Sequence, residues 1–429
     1  MSIFAPPPAL SFTATQLQAI ERFLPYNPQQ ALENASALRA QGFTPPEVSA
    51  ILNQAKLRTL GQQKFGDTAF SMLFTEAGYE QATRAAVAQL HAQRMQEAGL
   101  KSVADLGCGI GADSLAFAQA GLEVLAVELD KETAAFTAYN LREFTGSQVL
   151  VGNVENMVLE ELTDSAGKPP QALWLDPARR TVDGGHTTSR IFDPEAFSPP
   201  LSFIKKLAAT GIPMGVKMGP GIPHEEIPAN CEAQWVSHGS QVVEVVLWFN
   251  ALARKGIRRS ATLLSANPRS PEILSELFSE TGDSDELPAS AGEIETYLYE
   301  PDGAVIRAHL VGKLAAQLEA HLIDERIAYL SSTQLVHSPA ASAYEVLGEM
   351  SLNDKVLKKW VREENIGALT IKKRGVDIVP EQLRKKLLGQ GKKKKGTVEA
   401  TLIITRIGEG THSRRVAIHA RAINSSSDR

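Results

Sequence analysis

An apolar stretch runs directly into a glycine-rich turn between Val103 and Asp113. The stretch contains the acid Asp105, and the turn after it contains Gly107, Gly109 and Gly111. Glycine lets the backbone approach a ligand closely, and the amino end of a following helix offers free N–H donors. This pattern predicts a strand, a turn and a helix that bind a small molecule at the edge of an α/β sheet.

The glycines by themselves leave two ligand classes open. Gly107, Gly109 and Ala112 also satisfy the GxGxxA fingerprint of dinucleotide-binding proteins. Asp105 favours the other class, because its negative charge suits a cationic amino-acid ligand and repels a pyrophosphate. A dinucleotide-dependent dehydrogenase therefore ranks last among the enzyme hypotheses.

Strand and helix patterns alternate around this turn, after a helical region over residues 13–60 and a predicted helix over residues 78–100. The predicted strands are Ser102–Leu106, Glu123–Leu129, Gln148–Val151, Ala172–Leu175 and Met214–Met218, with helices at Thr133–Phe144, Leu201–Ala209 and, further along the chain, Pro380–Leu388. Regular alternation with Val- and Leu-rich strands predicts a parallel sheet covered by helices on both faces. The apolar run Val242–Phe249 predicts one more strand at the edge of the sheet.

Further polar residues lie where the predicted strands end. Glu128 ends the second strand, where a carboxylate can accept two hydrogen bonds from ribose hydroxyls. Asp176 and Pro177 end the fourth strand, at the sheet edge where such folds carry out chemistry. Lys217 ends the fifth strand, where it either contacts substrate or is only a strand-end charge. The alternative for Asp176 is a structural turn.

The composition excludes several other classes. Cys108 and Cys231 are the only cysteines and fit no CxxC pattern, so neither a disulfide framework nor a zinc site is expected. No His, Asp or Glu cluster has the spacing of metal ligands. No window has about 18 uninterrupted apolar residues, and the start of the chain lacks a signal-peptide pattern, so a soluble, cytoplasmic protein is expected.

Charge is distributed unevenly along the chain. Residues 351–429 contain 19 Lys and Arg against 8 Asp and Glu, a net charge of +11, whereas the whole chain has −5. A basic terminal module suggests a polyanionic partner, with nucleic acid favoured over a merely solvated surface. The cations expected to contact phosphates are Lys372, Lys373, Arg374, Arg384, Lys385, Lys386 and the run Lys392–Lys395.

The segment Asp105–Gly111 resembles motif I of the class I S-adenosylmethionine-dependent methyltransferases, D-x-G-x-G-x-G, at every position. Asp176 and Pro177 resemble the D-P-P-Y/F/R motif of methyltransferases that act on nucleic-acid bases. Ala178 and Arg179 depart from that motif, although arginine can stack on a base or hold a phosphate.

Residues 74–83 resemble the motif X region of these enzymes, which packs over the methionine end of the cofactor. Together with segments near residues 297–301 and 371–377, the chain resembles a bacterial methyltransferase family with a C-terminal THUMP-like domain. This resemblance implies an α/β, Rossmann-like methyltransferase domain with a mostly parallel sheet, a helical N-terminal region and an α+β THUMP-like module.

The resemblance also implies domains and site residues. The expected segments are 1–77 (helical), 78–262 (methyltransferase), 263–293 (linker or insertion), 294–350 (connecting module) and 351–429 (THUMP-like). The implied cofactor is S-adenosylmethionine, and the implied cofactor-binding residues are Asp105, Gly107, Gly109, Gly111, Glu128 and Asn153. The implied catalytic residues are Asp176, Pro177 and Arg179, and the expected substrate contacts are Arg180, Lys217 and the basic residues named above.

The resemblance implies methylation of a base nitrogen of RNA, from tRNA or rRNA, because THUMP domains deliver RNA to modification enzymes. Two alternatives remain open from the residues alone. One is a methyltransferase that acts on a protein or a small molecule, and the other is a non-catalytic RNA-binding protein. Cysteine-based catalysis is disfavoured because Cys108 lies within the cofactor turn and Cys231 lacks a motif.

Overall fold

The computed structural model describes residues 4–163, 167–179, 193, 195–267, 272–279, 290–389, 398–408 and 413–423. The chain divides into two compact units. The first comprises Met1–Gly239, Val243–Arg258 and Leu264–Ile273, and the second comprises Ser240–Val242, Arg259–Leu263 and Leu274–Arg429. Each unit has buried apolar clusters of its own.

Helices form the first part of the first unit. They are α1 (Ala14–Glu21), α2 (Ala31–Ala40), α3 (Pro45–Phe65), α4 (Glu76–Gln81) and α5 (Ala85–Glu97). Helix α3 begins at a capping box, in which the Thr44 N–H donates to Glu47 Oε2 at 2.8 Å. These helices confirm the predicted helical region at the amino end.

The single helix predicted over residues 78–100 is wrong, because α4 and α5 are separate. The Lys64 ammonium donates to the carbonyls of Tyr79 (2.7 Å), Glu80 (2.8 Å) and Ala82 (3.0 Å). These contacts satisfy carbonyl groups at the end of α4 that a continuing helix would have bonded internally. A long-range contact of this kind has no signature in the local sequence pattern.

The glycine-rich turn opens the sheet of the first unit. The strands are β1 (Ser102–Leu106), β2 (Glu123–Glu128), β3 (Ser147–Val151), β4 (Ala172–Leu175), β5 (Ala178–Arg179), β6 (Phe197–Ser198), β7 (Met214–Met218), β8 (Cys231–His238) and β9 (Gln241–Phe249), and the helices are α6 (Ala112–Gln119), α7 (Lys131–Asn140) and α8 (Leu201–Ala208). Strands β5 and β6 pair with each other in a small separate sheet. The other seven strands lie side by side in the order β8-β9-β7-β4-β1-β2-β3. Strands β3, β2, β1, β4 and β7 are mutually parallel, which confirms the predicted mostly parallel sheet.

Strand β9 differs from the prediction in its position. It pairs antiparallel with β7, but it lies inside the sheet, because β8 covers its other side. Gly239 and Ser240 join β8 to β9, and both have positive φ (57° and 62°), as a tight hairpin turn requires. No strand is predicted before this turn. Without β8 beside it, β9 would lie at the edge of the sheet, which is why the predicted position is wrong.

The two tryptophans Trp174 and Trp248 pack across the middle of this sheet. A Cβ atom at Gly215 of β7 would lie 2.6 Å from the Trp248 ring and 2.7 Å from the Trp174 ring. Gly215 therefore permits the close packing of β7 between the strands that carry these rings. Because β1, β4 and β7 are parallel, their carboxyl ends lie at the same edge of the sheet.

Strands β10 (Arg259–Leu264) and β11 (Ile273–Phe278) follow. Strand β11 lies within residues 263–293, where the sequence predicts a linker or an insertion. The Arg259 N–H donates to Ser279 Oγ at 2.9 Å, so the residue that follows β11 is hydrogen-bonded to β10. The described part of the segment thus contains regular structure.

The second unit also combines a sheet with helices. Its further elements are β12 (Tyr297–Pro301), α9 (Gly303–Arg307), α10 (Val311–Gln317), β13 (His321–Asp324), β14 (Ile327–Ser332), β15 (Ala341–Ser351), α11 (Asp354–Glu363), β16 (Ile366–Lys373), α12 (Pro380–Leu388), β17 (Val398–Ile407) and β18 (Arg414–Ile423). The strand order is β13-β14-β12-β15-β18-β17-β16. Strands β16 and β17 are parallel and joined through α12, while the other pairs are antiparallel, which confirms an α+β module.

Candidate active site

The glycine-rich turn adopts the backbone conformation that its sequence predicts. Gly107, Gly109 and Gly111 have φ values of 91°, 55° and 81°, which side chains other than glycine rarely adopt. A Cβ atom at Gly111 would also lie 2.8 Å from Thr137 Cγ2. Helix α6 begins immediately after Gly111, so its free N–H groups lie at the turn.

Glu128 is fixed at the end of β2 by two backbone groups. Its Oε2 accepts from the Gly109 N–H at 2.9 Å, and its Oε1 accepts from the Asp130 N–H at 2.9 Å. Asn153 lies just after β3, where its side-chain oxygen accepts from the Glu155 N–H at 2.9 Å. The structure therefore brings Glu128 and Asn153 to the same edge as the glycine turn.

A cavity of about 390 Å³ opens at this edge. The glycine turn, Glu128, Asn153 and Asp176 line it, and so do six residues of the segment 75–83, namely Thr75, Ala77, Gly78, Gln81, Ala82 and Thr83. Helix α4 packs tightly on the turn, since a Cβ at Gly78 would lie 2.3 Å from Ile110 Cγ2. Part of the segment that resembles motif X therefore lines the cavity.

Asp105 is buried at the bottom of the turn. Burial raises the pKa of its carboxyl group well above its usual range, and the nearby Asp113 carboxylate raises it further. The Ser114 hydroxyl donates to Asp105 Oδ2 at 2.5 Å. A buried acid next to a second acid suits a ligand that brings a positive charge.

Asp176 and Lys217 form an ion pair beside this cavity. Lys217 Nζ lies 2.5 Å from Asp176 Oδ2, and the lysine and aspartate side chains are 15% and 35% exposed, respectively. Burial raises the pKa of Asp176, and Lys217 opposes that shift. Burial alone would lower the pKa of Lys217, but the carboxylates of Asp176, Asp113 and Glu244 raise it, so the lysine is an ammonium cation at neutral pH.

Behind this pair lies a set of buried polar side chains. Lys217 Nζ donates to Thr83 Oγ1 (3.0 Å), and the Thr83 hydroxyl donates to Asp113 Oδ2 (2.7 Å). His91 lies between two carboxylates, with Nδ1 2.8 Å from Asp113 Oδ1 and Nε2 2.6 Å from Glu244 Oε1. We name these six side chains, which run from Asp176 through Lys217, Thr83, Asp113 and His91 to Glu244, the buried charge chain.

Sequence reasoning missed four members of the buried charge chain, namely Thr83, His91, Asp113 and Glu244. Two weak signals were present: Glu244 interrupts the apolar run of β9, and His91 lies on the buried face of α5. Burial would lower the pKa of His91, but Glu244 and Asp113 raise it to about 9. His91 is therefore an imidazolium at neutral pH.

Several predicted substrate residues lie outside the part of the chain whose side chains are described. These are Arg180 and Lys392–Lys395. The backbone of Arg179 lies in β5, paired antiparallel with Phe197 of β6. Pro177 is buried directly after Asp176. The structure thus places the backbone that follows Asp176, and the roles of the arginines stay predictions.

The predicted cations of the second unit have different surroundings. Lys372 Nζ is hydrogen-bonded to Glu300 Oε2, and Arg374 lies 3.8 Å from the same carboxylate. Lys373 and Lys385 are exposed. The paired residues have part of their charge neutralised, whereas the exposed ones keep theirs available to an anion.

The two cysteines have no feature of a nucleophile. Burial raises the pKa of the Cys108 thiol well above its usual range and that of Cys231 to about 12. Within the described ranges, no group of three or more His, Cys, Asp or Glu side chains could hold a metal ion. No helix among the described residues has both the length and the hydropathy to cross a membrane.

The parallel sheet, the glycine turn after β1 and the acids at the ends of β2 and β4 together define a class I methyltransferase fold. A family model described as "THUMP domain-like" matches residues 341–422, from the start of β15 into β18. Two relatives from Mycobacterium tuberculosis strains, both described as uncharacterized S-adenosylmethionine-dependent methyltransferases, are 30% identical over 344 residues. The match covers 80% of this chain and 86% of each relative.

The chain therefore belongs to the S-adenosylmethionine-dependent methyltransferases. The fold is also that of a crystal structure from Porphyromonas gingivalis W83, described as a candidate methyltransferase. That structure superposes with a TM-score of 0.70 at 18% identity, and the match covers 96% of this chain and 100% of the other. The comparisons confirm the predicted fold class, the enzyme class and the cofactor.

The residues of the cavity fit this cofactor. S-adenosylmethionine supplies an electrophilic methyl group on a sulfonium that is already a good leaving group. Asp105 would offer a buried carboxyl group to its cationic amino-acid part, whose positive charge would favour the ionised form of that acid, and Glu128 would offer carboxylate oxygens to its hydroxyl donors. The glycine turn leaves the backbone open beside them, because a Cβ at Gly107 or Gly109 would meet no atom within 4 Å.

Proposed function

We propose that the protein transfers the methyl group of S-adenosylmethionine to a nitrogen of an RNA base. The observation that carries the proposal is the position of Asp176. Its carboxylate follows β4, lines the cofactor cavity and is held from one side by Lys217. A carboxylate in this place accepts a hydrogen bond from a base N–H and so points the nitrogen lone pair towards the methyl group.

This arrangement needs little acid or base strength. Lys217 uses Oδ2 of Asp176, which leaves Oδ1 for the acceptor N–H. In-line placement of the nitrogen then lowers the barrier, because the reacting atoms are already oriented when they meet. Pro177 restricts the backbone next to Asp176 and so helps keep the carboxylate in place.

The second unit supports RNA as the acceptor. Its THUMP-like match covers β15 to β18, which carry α11 and α12 between them. Exposed cations lie on both helices, among them Lys355, Lys358 and Lys385. Such cations attract a phosphate backbone without reading its sequence, as a module that delivers RNA to a catalytic unit requires.

The test is a methyl-transfer assay with methyl-labelled S-adenosylmethionine. The full-length protein is incubated with RNA, protein and small-molecule fractions from a strain that lacks its gene, since the acceptor sites there are unmodified. We expect label in one RNA fraction, on a base nitrogen that mapping identifies. Label confined to protein or to small molecules would overturn the RNA assignment and leave the methyltransferase assignment intact.

The Asp176→Ala variant separates the role of Asp176 from cofactor binding. We expect its turnover to be abolished, while its affinity for S-adenosylhomocysteine, measured by calorimetry, stays within a few fold of wild type. A matched control is Asp67→Ala in the turn that follows α3, because Asp67 does not line the cofactor cavity. Equal falls of turnover and cofactor affinity in Asp176→Ala would contradict the acceptor role.

A further inference from the structure

The proposed transfer uses Asp176 directly but gives no role to His91 and Glu244, which are buried behind it. His91 is fully buried and Glu244 is 2% exposed. Neither lines the cofactor cavity. Two buried charges that do not touch the reacting atoms are costly to keep, which calls for an explanation other than substrate binding.

The hydrogen bonds of the buried charge chain share one direction when its carboxyl groups are ionised. Both ring nitrogens of His91 then donate to carboxylate oxygens, and the ring is protonated. The Thr83 hydroxyl donates its one proton to Asp113, so its oxygen accepts from Lys217. These contacts form one continuous hydrogen-bonded path from Glu244 to Asp176.

The groups that face His91 come from several elements. The charged ones are Asp113 of α6 and Glu244 of β9. The apolar ones are Trp174, whose ring centroid lies 4.3 Å from that of His91, and Trp248 at 6.3 Å. Trp174 lies on β4 two residues before Asp176, so His91 is linked to that strand by packing as well as by hydrogen bonds.

We infer that His91 and Glu244 are positioning residues, which act through Asp113 and Thr83 to hold the Lys217 ammonium in one orientation against Asp176. The inference rests on the proposed function in that Asp176 is taken to receive the acceptor nitrogen. A lysine side chain is long and flexible. Besides Asp176, the Lys217 ammonium is hydrogen-bonded to Thr83, which restricts the orientation of the ammonium. Thr83 in turn depends on Asp113, whose other oxygen is held by His91.

The chain offers a matched control on the same helix. Arg94 lies one turn after His91 on α5, its guanidinium pairs with the fully buried Glu232 at 2.9 Å, and it lies 5.1 Å from the Trp248 ring. Like His91, it is a cation of α5 that is paired with a buried carboxylate. Its partners are not members of the buried charge chain, so removal of its charge tests the effect of breaking a buried ion pair alone.

The first experiment observes Lys217 without any substrate. The full-length protein is labelled with ¹⁵N-lysine, and the Nζ resonance of Lys217 is assigned from its disappearance in Lys217→Arg. A buried, hydrogen-bonded ammonium exchanges its protons slowly and is therefore visible. We expect this resonance to shift or to broaden beyond detection in His91→Gln and to stay unchanged in Arg94→Gln. An unchanged resonance in His91→Gln would overturn the inference.

The second experiment compares rates with the unmodified RNA fraction and labelled S-adenosylmethionine. We expect kcat of His91→Gln to fall about tenfold to a hundredfold, as a small misplacement of a reacting group does, with the KM for RNA and the cofactor affinity within about twofold of wild type. Arg94→Gln should keep the wild-type kcat. An equal fall of kcat in both variants would show a structural role only and would overturn the inference.

Glu244→Gln keeps the proposal testable if His91→Gln does not fold, because the amide oxygen can still accept from His91 Nε2 while one charge is removed. We expect the same changes in the Lys217 resonance and in kcat, in the same direction and smaller. A wild-type Lys217 resonance in this variant would count against the inference. If wild-type protein labels no RNA, the proposed function fails, whereas the NMR comparison still decides the positioning role.

Discussion

The two units hold their charges in opposite ways. In the first unit, carboxylates such as Glu232 and Glu244 are buried and contact cations through short hydrogen bonds. In the second unit, pairs such as Arg421 with Glu345 and Arg414 with Glu349 join side chains that are about one-third exposed or more. The fold of each unit therefore decides whether a charge is an internal, directional contact or a part of the surface.

Buried charges and exposed charges suit different tasks. Buried charges interact strongly in a low-dielectric interior and are destabilised strongly when a partner is removed, so they suit a site that must be held in one geometry. Exposed charges are screened by water and salt and attract a polyanion over a longer range without fixed geometry.

The largest effect is expected from the same substitution made once in each unit. Glu232→Gln leaves Arg94 and Arg254 with a neutral partner in the interior, so we expect the free energy of unfolding to fall by about 3 kcal/mol. Glu345→Gln breaks an exposed pair across two strands and should cost about 0.5 kcal/mol. Chemical denaturation of the two variants measures both free energies of unfolding. Similar losses of stability in the two variants would contradict the contrast between buried and exposed ion pairs.

The second prediction concerns the pH dependence of stability. The pKa of His91 is raised from 6.5 to about 9 in the folded protein, so its stabilising contribution is fully present below about pH 6.5 and is lost as the pH rises through 9. The linkage amounts to about 3 kcal/mol at most. We expect denaturation experiments to show this decline in wild type, and we expect it to be absent in His91→Gln. If the stability of His91→Gln still declined as the pH rises through 9, the decline would come from the titration of another group.

The third prediction concerns the cofactor. Asp105→Asn keeps the shape of the side chain and an oxygen that accepts from Ser114, but it cannot ionise when a cationic ligand binds. We expect affinity for S-adenosylmethionine, measured by calorimetry, to fall about tenfold to a hundredfold, since a hydrogen bond to a charged group contributes about 1.5–3 kcal/mol. Asp130→Asn, which removes a charge outside the cavity lining, is the control and should bind as wild type does. Unchanged affinity in Asp105→Asn would exclude the assigned role.

The smallest effect concerns the surface of the second unit. In Lys358→Gln/Lys385→Gln, two exposed cations of α11 and α12 are removed. RNA affinity should weaken for all sequences alike, and the slope of log K against log salt should decrease by about 2, since each lysine that neutralises a phosphate contributes about 1. The equivalent change at two exposed lysines of α8, Lys205→Gln/Lys206→Gln, should leave the slope unchanged. If both double substitutions decreased the slope equally, RNA would be attracted by the total charge of the protein and not by α11 and α12 in particular.

Local patterns predicted the parallel strands and the glycine turn. Strands β1, β4 and β7 follow from short apolar runs that end at an acid, a proline or a glycine turn, and the positive φ angles at Gly107, Gly109 and Gly111 follow from residue type. These features depend on a few neighbouring residues. The same holds for helix α12, which begins at Pro380 as predicted and ends before Gly389.

Features that depend on distant residues were not predicted. The break between α4 and α5 depends on Lys64 of α3, whose ammonium bonds to carbonyls 15 to 18 positions later in the chain. The interior place of β9 depends on β8, which was not recognised. The pairing of Lys372 with Glu300 joins residues 72 positions apart, and no local pattern distinguishes this lysine from the exposed Lys373.

The class of fold and the glycine turn could be predicted from the sequence, because glycine conformations, strand periodicity and an acid beside the turn are local properties. Which charges contact one another depends on tertiary packing. Residues 83, 91, 113, 176, 217 and 244 come from six separate parts of the chain, and their contacts exist only after the strands and helices have packed. Burial then sets their protonation, because a charge in the interior persists only where an opposite charge lies within hydrogen-bond distance.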